Sequence, residues 1–167
     1  MERSTFIVLT DEEMMAAAVV GIKRNIMSIN KDSKPGYGHN DENNWEINIL
    51  GAMGELSFCK YYGITWEGRI GNYKKSDVGH NIQVKTTTYS NGRLIIESDF
   101  KDEEIYVLVI GDKNIYQIIG WIKAVDCKKE IYRHNFGRGS KYFVPQSMLN
   151  PFVFQEEQKF EDVIMIN

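Results

Sequence analysis

The segment from Ser76 to Thr87 contains the side chains of this chain that are best suited to chemistry. Its second half alternates apolar and polar residues, which predicts a β-strand with Gln83 and Lys85 on one face. Asp77 lies just before a Gly-His-Asn sequence that is typical of a tight turn. Because the turn reverses the chain, we expect the Asp77 carboxylate to lie beside the polar face of the strand.

An acid, an amide oxygen and a lysine that converge at one end of a sheet are suited to metal-dependent cleavage of a phosphodiester. A fourth candidate is Glu55, which borders the apolar stripe of a predicted helix within the sequence Gly-Ala-Met-Gly-Glu. Glycines and alanine inside a helix indicate a close approach to another backbone or to a ligand. The candidate catalytic set is therefore Glu55, Asp77, Gln83 and Lys85.

Each of these residues also has an ordinary structural explanation. Asp77 could accept hydrogen bonds from the amides of its own turn. Gln83 could be an exposed strand residue and Lys85 a charge at a sheet edge. Glu55 could be a solvated residue on the flank of its helix. The catalytic interpretation requires that the polar groups meet in space.

The composition is that of one soluble domain spanning residues 1–167. Of the 167 residues, 43% are hydrophobic and 26% are charged, which is enough for one core and leaves little room for a second. We found no apolar run long enough to span a membrane and no signal peptide, which indicates a cytoplasmic protein. Cys59 and Cys127 lack metal-binding spacing and are expected to be reduced thiols. The net charge of −3 argues against a general nucleic-acid coat but leaves room for a local basic patch.

Two helices are predicted in the first half of the chain. Thr10 and Glu13 have the spacing of a capping box, so the first helix should begin there. The second helix should run from about Asp41 to Tyr62 and end at Gly63. The apolar stripe expected to be buried in the first helix is Met15, Val19, Ile22, Ile26 and Ile29. That of the second is Ile49, Ala52, Met53, Leu56 and Cys59.

The second half of the chain is predicted to form mostly β-sheet. A meander is expected from Val78 and residues 82–88 and 94–97, with Asn91-Gly92 as the turn before the last strand. Two further strands, residues 105–110 and 115–122, flank the sequence Gly-Asp-Lys-Asn. The tail from residue 124 is expected to contain a short helix and loops. One α/β domain follows from this order.

Basic residues near the end of the chain could bind DNA. They are interleaved with aromatic residues and glycine, a pattern suited to phosphate contacts and base stacking. The same pattern also fits a solvated surface. The candidate DNA-binding residues are Lys128, Lys129, Arg133, Arg138 and Lys141, together with Lys74 and Lys75 just before Asp77.

The candidate residues occur in a fixed order: a glutamate on a helix, then an aspartate, then Glu or Gln followed by any residue and a lysine. This order resembles the motif of the PD-(D/E)XK nuclease superfamily. The segment S-D-V-G-H-N-I-Q-V-K is similar to its central hairpin, and G-A-M-G-E-L-S-F-C-K-Y-Y-G and I-I-G-W-I resemble small phage and prophage members. The resemblance spans roughly Leu9 to Ile122. It implies a restriction-endonuclease-like α/β core with a central mixed β-sheet flanked by helices. It also implies Mg²⁺ or Mn²⁺ as cofactor and DNA as substrate, in a bacterial host's cytoplasm.

The resemblance assigns a role to each candidate residue. Asp77 would be the essential metal ligand, Lys85 the catalytic lysine and Glu55 the acid carried by the helix. Gln83 would occupy the second acidic position, with the main-chain carbonyl of Val84 as a further metal ligand. A neutral amide at position 83 should lower metal affinity relative to a carboxylate. Glu55, as a further metal ligand, and the Val84 carbonyl could offset part of this loss.

The departure at Gln83 keeps other functions open. One is a module of the same fold that binds DNA or a protein partner without cleavage. Another is a phage structural or host-takeover protein in which the polar row is incidental. If the chain does cleave both strands of a duplex, a two-fold homodimer is expected.

Overall fold

The computed structural model describes residues 6–30, 44–71, 76–135 and 139–152 and has a mixed α/β architecture. Its helices are α1 (Asp11–Asn30), α2 (Asn44–Tyr62) and the short α3 (Ala124–Cys127). Its strands are β1 (Phe6–Val8), β2 (Ile82–Thr87), β3 (Leu94–Glu97), β4 (Ile105–Asp112), β5 (Ile115–Lys123), β6 (Arg133–Asn135) and β7 (Ser140–Val144).

The predicted ends of the two long helices are confirmed where the structure describes them. The Thr10 amide donates to Glu13 Oε2 at 2.8 Å, and the Glu13 amide donates to Thr10 Oγ1 at 3.2 Å, as in a capping box. At the end of α2, Gly63 has a φ of 66°, which suits glycine because it has no Cβ. Residues 41–43, where the second helix was expected to begin, lie outside the described residues.

Four strands form a mixed sheet in the order β1-β5-β4-β2. The two strands expected around Gly-Asp-Lys-Asn are confirmed as β4 and β5, which pair as a hairpin with Lys113 in the left-handed conformation at a φ of 55° in its turn. β2 lies at one edge and pairs with β4 in parallel, Ile82 opposite Ile105. β4 is therefore an interior strand, and its nearly continuous apolar sequence reflects burial on both faces.

In the predicted meander, Val78 does bridge Ile82 in antiparallel orientation, but the pairing of residues 94–97 with residues 82–88 is wrong. β3 does not pair with β2 but lies in a second sheet of order β3-β7-β6, with Leu94 opposite Val144. The turn near Gly92 therefore leads the chain out of the mixed sheet rather than back along β2. The tail predicted as a short helix and loops supplies two of the three strands of this second sheet.

The mixed sheet has α2 on one face and the second sheet on the other. Val84, Val107 and Phe58 belong to the core between α2 and the mixed sheet, whereas Tyr106 and Leu108 belong to the core that includes the second sheet. The expected mixed sheet with flanking helices is present: α1 and α2 stack on one side, and the short α3 contributes Ala124 and Cys127 to the core on the other side. α1 forms the outermost layer because it packs on α2.

The apolar stripe predicted to be the buried face of α1 is exposed. Its five members have between 39% and 60% of their surface accessible, while α1 buries small and polar residues instead. The cause is a close helix crossing, because a Cβ on Gly21 would come within 2.5 Å of the Ile49 backbone. Large side chains cannot occupy such a contact, so they point outward. The exposed residues are Met15, Val19, Ile22, Ile26 and Ile29.

The buried face of α2 is also shifted from the prediction. Ala52 and Cys59 are buried as expected, but Ile49, Met53 and Leu56 are partly accessible. Buried Gly54 lies against the Thr86 side chain of β2, which is the close approach that its glycine indicated.

Two expectations about the environment of the chain can be compared with the described residues. No helix among them is long and apolar enough to cross a membrane. Cys59 and Cys127 are free and buried, and burial raises the pKa of the Cys59 thiol to about 12.

Candidate active site

Asp77 is held at the free edge of β2. Its amide donates to the Ile82 carbonyl at 2.9 Å, and its Oδ2 accepts a hydrogen bond from the Val84 amide at 2.8 Å. The N–H and C=O of one strand residue point to the same side of the strand. The Val84 carbonyl therefore also lies on the edge that faces Asp77. The carboxylate does not cap its own turn; that turn is closed by Ser76 Oγ donating to the Gly79 carbonyl at 2.8 Å.

The Asp77 side chain is partly buried, and charged groups nearby influence its pKa. Burial raises its pKa, while the Lys85 ammonium and the Val84 amide oppose that increase. Lys85 is partly buried and places its Nζ 5.9 Å from the ring centre of Tyr106. The structure therefore brings the predicted aspartate and lysine together at one sheet edge.

Glu55 approaches the same place from α2, but its carboxylate is paired. Arg24 on α1 donates from Nη1 to Oε1 at 2.7 Å and from Nη2 to Oε2 at 2.8 Å. Trp66 Nε1 lies 3.4 Å from Oε2. Burial raises the pKa of Glu55, and the nearby Asp77 raises it further, while Arg24 lowers it. Glu55 is thus a buried acid rather than a solvated one, with a guanidinium on both oxygens.

Two arginines connect the helices to the turn that carries Asp77. Arg24 Nε donates to the Arg69 carbonyl at 2.9 Å. Arg69 Nη1 in turn donates to the carbonyls of Ser76 at 2.7 Å and Gly79 at 3.1 Å. The position of Asp77 therefore depends on α1 and on the loop after α2, as well as on β2.

Gln83 contacts a second buried acid, Glu104, at the start of β4. Gln83 Nε2 donates to Glu104 Oε1 at 3.2 Å. Glu104 Oε2 accepts from the Tyr106 hydroxyl at 3.0 Å and from the Lys101 amide at 3.1 Å. The charge on Glu104 also raises the pKa of Asp77, which indicates that the two carboxyl groups are near each other.

An open cleft of about 270 Å³ lies beside this site. It gives Glu104 access to the surface and brings basic side chains from two loops next to the Asp77 turn. Its lining residues are Arg69, Ser76, Gly79, His80, Asn81, Lys101, Glu103 and Glu104.

The oxygen donors at this edge suit Mg²⁺. Among the described residues no three His, Cys, Asp or Glu side chains form a group that could hold a metal ion. Mg²⁺ does not need three, because it keeps several waters and binds through one or two carboxylates together with substrate phosphates. The hydrogen bonds of the described residues use Oδ2 of Asp77 and leave Oδ1 for another ligand. Asp77, the Val84 carbonyl and the Gln83 carbonyl oxygen are the groups that could hold the ion. Glu55, which was also predicted as a metal ligand, has both carboxylate oxygens bonded to Arg24 instead.

The candidate DNA-binding residues divide into several groups. Lys128, Lys129 and Arg133 are exposed, and Lys128 Nζ lies 5.8 Å from the ring centre of Phe100. Lys141 is not on this surface, because its ammonium is buried and lies 2.6 Å from Glu97 Oε1. Lys74, Lys75 and Arg138 lie outside the described residues.

Two residues of the site were not predicted from the sequence. Arg24 lies one turn after Gly21 on the face of α1 that packs on α2. A charged residue on the same helix face as small residues is the sequence feature that could have identified it. Glu104 is the last of three consecutive acids, and the sequence alone does not indicate which of them turns inward.

Comparisons with protein-family models, with curated proteins and with solved structures found no match to this chain.

Proposed function

We propose that this protein is a Mg²⁺- or Mn²⁺-dependent deoxyribonuclease of the PD-(D/E)XK type, which hydrolyses phosphodiester bonds in DNA. The observation that carries the proposal is the juxtaposition at the free edge of β2. There the partly buried carboxyl of Asp77 accepts a hydrogen bond from the Val84 amide, and the Lys85 ammonium is near enough to lower the pKa of Asp77.

Each residue has a role that follows from its position. A bound Mg²⁺ would supply a water of lowered pKa and neutralise charge on the scissile phosphate. Asp77, the Val84 carbonyl and Gln83 would hold that ion at the sheet edge. Lys85 would orient the attacking water or stabilise the negative charge that develops on the phosphoryl oxygens. Glu55 would hold Arg24 in place, and Arg24 would support the turn through its hydrogen bond to the Arg69 carbonyl.

The experiment is incubation of the protein with linear, circular, branched and single-stranded DNA. Each substrate is tested with Mg²⁺, with Mn²⁺ and with a chelator. We expect cleavage of at least one substrate that requires the metal ion. Absence of metal-dependent cleavage of every substrate would contradict the proposal.

A second candidate function is a module of the same fold that binds DNA or a protein partner without cleaving it. Two observations favour it: position 83 holds a neutral amide, and Arg24 contacts both oxygens of Glu55. Restoring the acid separates the two functions. If Gln83→Glu starts cleavage in an inert parent protein, the second function is the correct one.

DNA binding should depend on the exposed basic residues Lys128, Lys129 and Arg133. These residues lie near the cleft, because Lys128 lies over the ring of Phe100 and the next residue, Lys101, lines the cleft. Replacing all three with glutamine should make the plot of log DNA-association constant against log salt concentration less steep. The slope should change by about 0.9 for each lost phosphate contact with a duplex. The control is Lys113→Gln, because Lys113 lies in the turn at the opposite end of β4. An unchanged slope in the triple variant would remove this surface from the DNA footprint.

A second copy of the chain is the partner that we propose for the exposed stripe of α1. The stripe residues alternate at spacings of four and three, the pattern of a coiled-coil seam. A two-fold axis would place the same seam on both partners. Such a dimer would also supply two sites for the two strands of a duplex.

If this dimer forms, the double variant Ile22→Gln, Ile26→Gln should be a monomer. Sedimentation at micromolar protein concentration measures the change. Both residues lie in the middle of the stripe, where apolar contact would be lost on both partners. The control is Ile131→Gln, which makes the same type of change at a residue that is 78% exposed elsewhere. A monomeric parent, or a double variant that remains dimeric, would exclude this interface.

A further inference from the structure

Glu104 has an unusual environment for a buried carboxylate. It is 8% exposed, and it accepts hydrogen bonds from three neutral donors: the Gln83 side-chain amide, the Tyr106 hydroxyl and the Lys101 main-chain amide. Among the described residues no Lys, Arg or His nitrogen lies within ion-pair distance of it. Buried charges in proteins are generally paired or coordinate a metal ion. Glu104 is therefore a buried acid without an ion pair among the described residues, and it lines the cleft beside the Asp77 turn.

The contact between Gln83 and Glu104 determines the orientation of the Gln83 amide. An ionised carboxylate can only accept hydrogen bonds, so the NH₂ group of Gln83 must face it. The reversed amide would place a carbonyl oxygen against a carboxylate oxygen, which is repulsive. The carbonyl oxygen of Gln83, the atom that a metal ion requires, is consequently turned away from Glu104.

We propose that Glu104 is the positioning residue that makes Gln83 a metal ligand. Glu104 fixes the Gln83 amide so that the carbonyl oxygen of Gln83 is available to the metal ion. From its place just before β4, Glu104 also supplies the negative charge that an acid at position 83 would supply from β2. The two residues together replace one carboxylate. This inference rests on the proposed metal-dependent function and assigns a partner to the residue that departs from the family motif.

The geometry supports this role through the residues that hold Glu104. Its amide donates to the Lys101 carbonyl at 3.0 Å, and its carbonyl accepts from the Ala124 amide at 2.8 Å. The Tyr106 hydroxyl fixes the second carboxylate oxygen. A side chain held at both its backbone and its carboxylate can orient a neighbour reproducibly.

The test is the affinity of the protein for Mn²⁺ without DNA, measured by electron paramagnetic resonance titration. Glu104→Gln should weaken Mn²⁺ binding about 10- to 100-fold, the range for groups that orient a metal ligand. Gln83→Glu combined with Glu104→Gln returns the charge to position 83 and should restore most of the affinity. The control is Glu103→Gln, since Glu103 lines the same cleft and loses the same charge but does not contact Gln83.

Equal affinity of Glu104→Gln and the parent protein would overturn the proposal, as would a double variant no better than Glu104→Gln alone. If Glu104→Gln fails to fold, the parent protein still gives a test by nuclear magnetic resonance. Adding Mg²⁺ should shift the side-chain carbonyl carbon of Gln83, and an unshifted signal would overturn the proposal. Metal affinity that depends on Glu104, without DNA cleavage, would contradict the proposed nuclease function and support this inference.

Discussion

Asp77→Asn and Lys85→Ala should each reduce metal-dependent DNA cleavage by about 10²- to 10⁴-fold, the range for removing a catalytic acid–base or charge-stabilising group. Asparagine keeps an oxygen that can accept the Val84 amide, so the edge of β2 should remain intact. It removes the negative charge, so Mn²⁺ binding should fall together with activity. Cleavage rates at saturating metal and calorimetric metal titrations measure the two effects.

The two variants should differ in metal binding. Lys85 is assigned to the attacking water or the phosphoryl oxygens, so Lys85→Ala should lose cleavage while it still binds Mn²⁺. The matched control is Lys113→Ala, which removes a lysine at the far end of the mixed sheet and should cut at the parent rate. If either Asp77→Asn or Lys85→Ala cuts as fast as the parent protein, the assignment of the site is wrong.

Arg24→Met should destabilise the folded protein by about 3–5 kcal/mol, because it leaves Glu55 as an unpaired buried charge. The side chains of Arg24 and Glu55 are only 14% and 4% exposed, so water cannot replace the lost guanidinium. Urea denaturation at neutral pH measures the change in the free energy of unfolding. The difference in the free energy of unfolding between Arg24→Met and the parent protein should become smaller as the pH is lowered. Burial already raises the pKa of Glu55 and removing Arg24 raises it further, so protonation removes the unpaired charge.

Two comparisons make the Arg24 prediction specific. Arg24→Met with Glu55→Met removes both charges and should recover most of the lost stability, because a buried ion pair can be replaced by apolar residues of similar volume. Lys60→Met breaks the 2.7 Å pair with Glu13, whose side chains are 36% and 30% exposed, and should cost no more than about 1 kcal/mol. If Arg24→Met is no more destabilising than Lys60→Met, Glu55 does not depend on Arg24.

The parts of the fold that could be predicted from sequence are those governed by local interactions. The Thr10–Glu13 capping box and the positive φ at Gly63 depend on a few neighbouring residues. The β4–β5 hairpin joins strands that follow one another directly. The alternation along β2 places Ile82 and Val84 in the core and leaves Gln83 and Lys85 on the other face, as the period of a strand requires.

The parts that could not be predicted depend on partners distant in the chain. Nothing local distinguishes pairing of β3 with β2 from pairing with β7, which is some 44 residues further on. The stripe of α1 has the spacing of a buried face, yet the small face containing Gly21 packs against α2 because it allows a closer approach. Helical periodicity identifies an apolar face but does not say which face another element covers.

The site shows the same division. The sequence by itself determined that Asp77 would precede a turn and that Gln83 and Lys85 would share one face of a strand, because turn residues and strand alternation act over a few positions. Only the tertiary structure decided that Arg24 would neutralise Glu55 and that Glu104 would face Gln83. Those contacts join α1 to α2 and the start of β4 to β2. No local pattern in the sequence specifies how elements so far apart in the chain pack against each other.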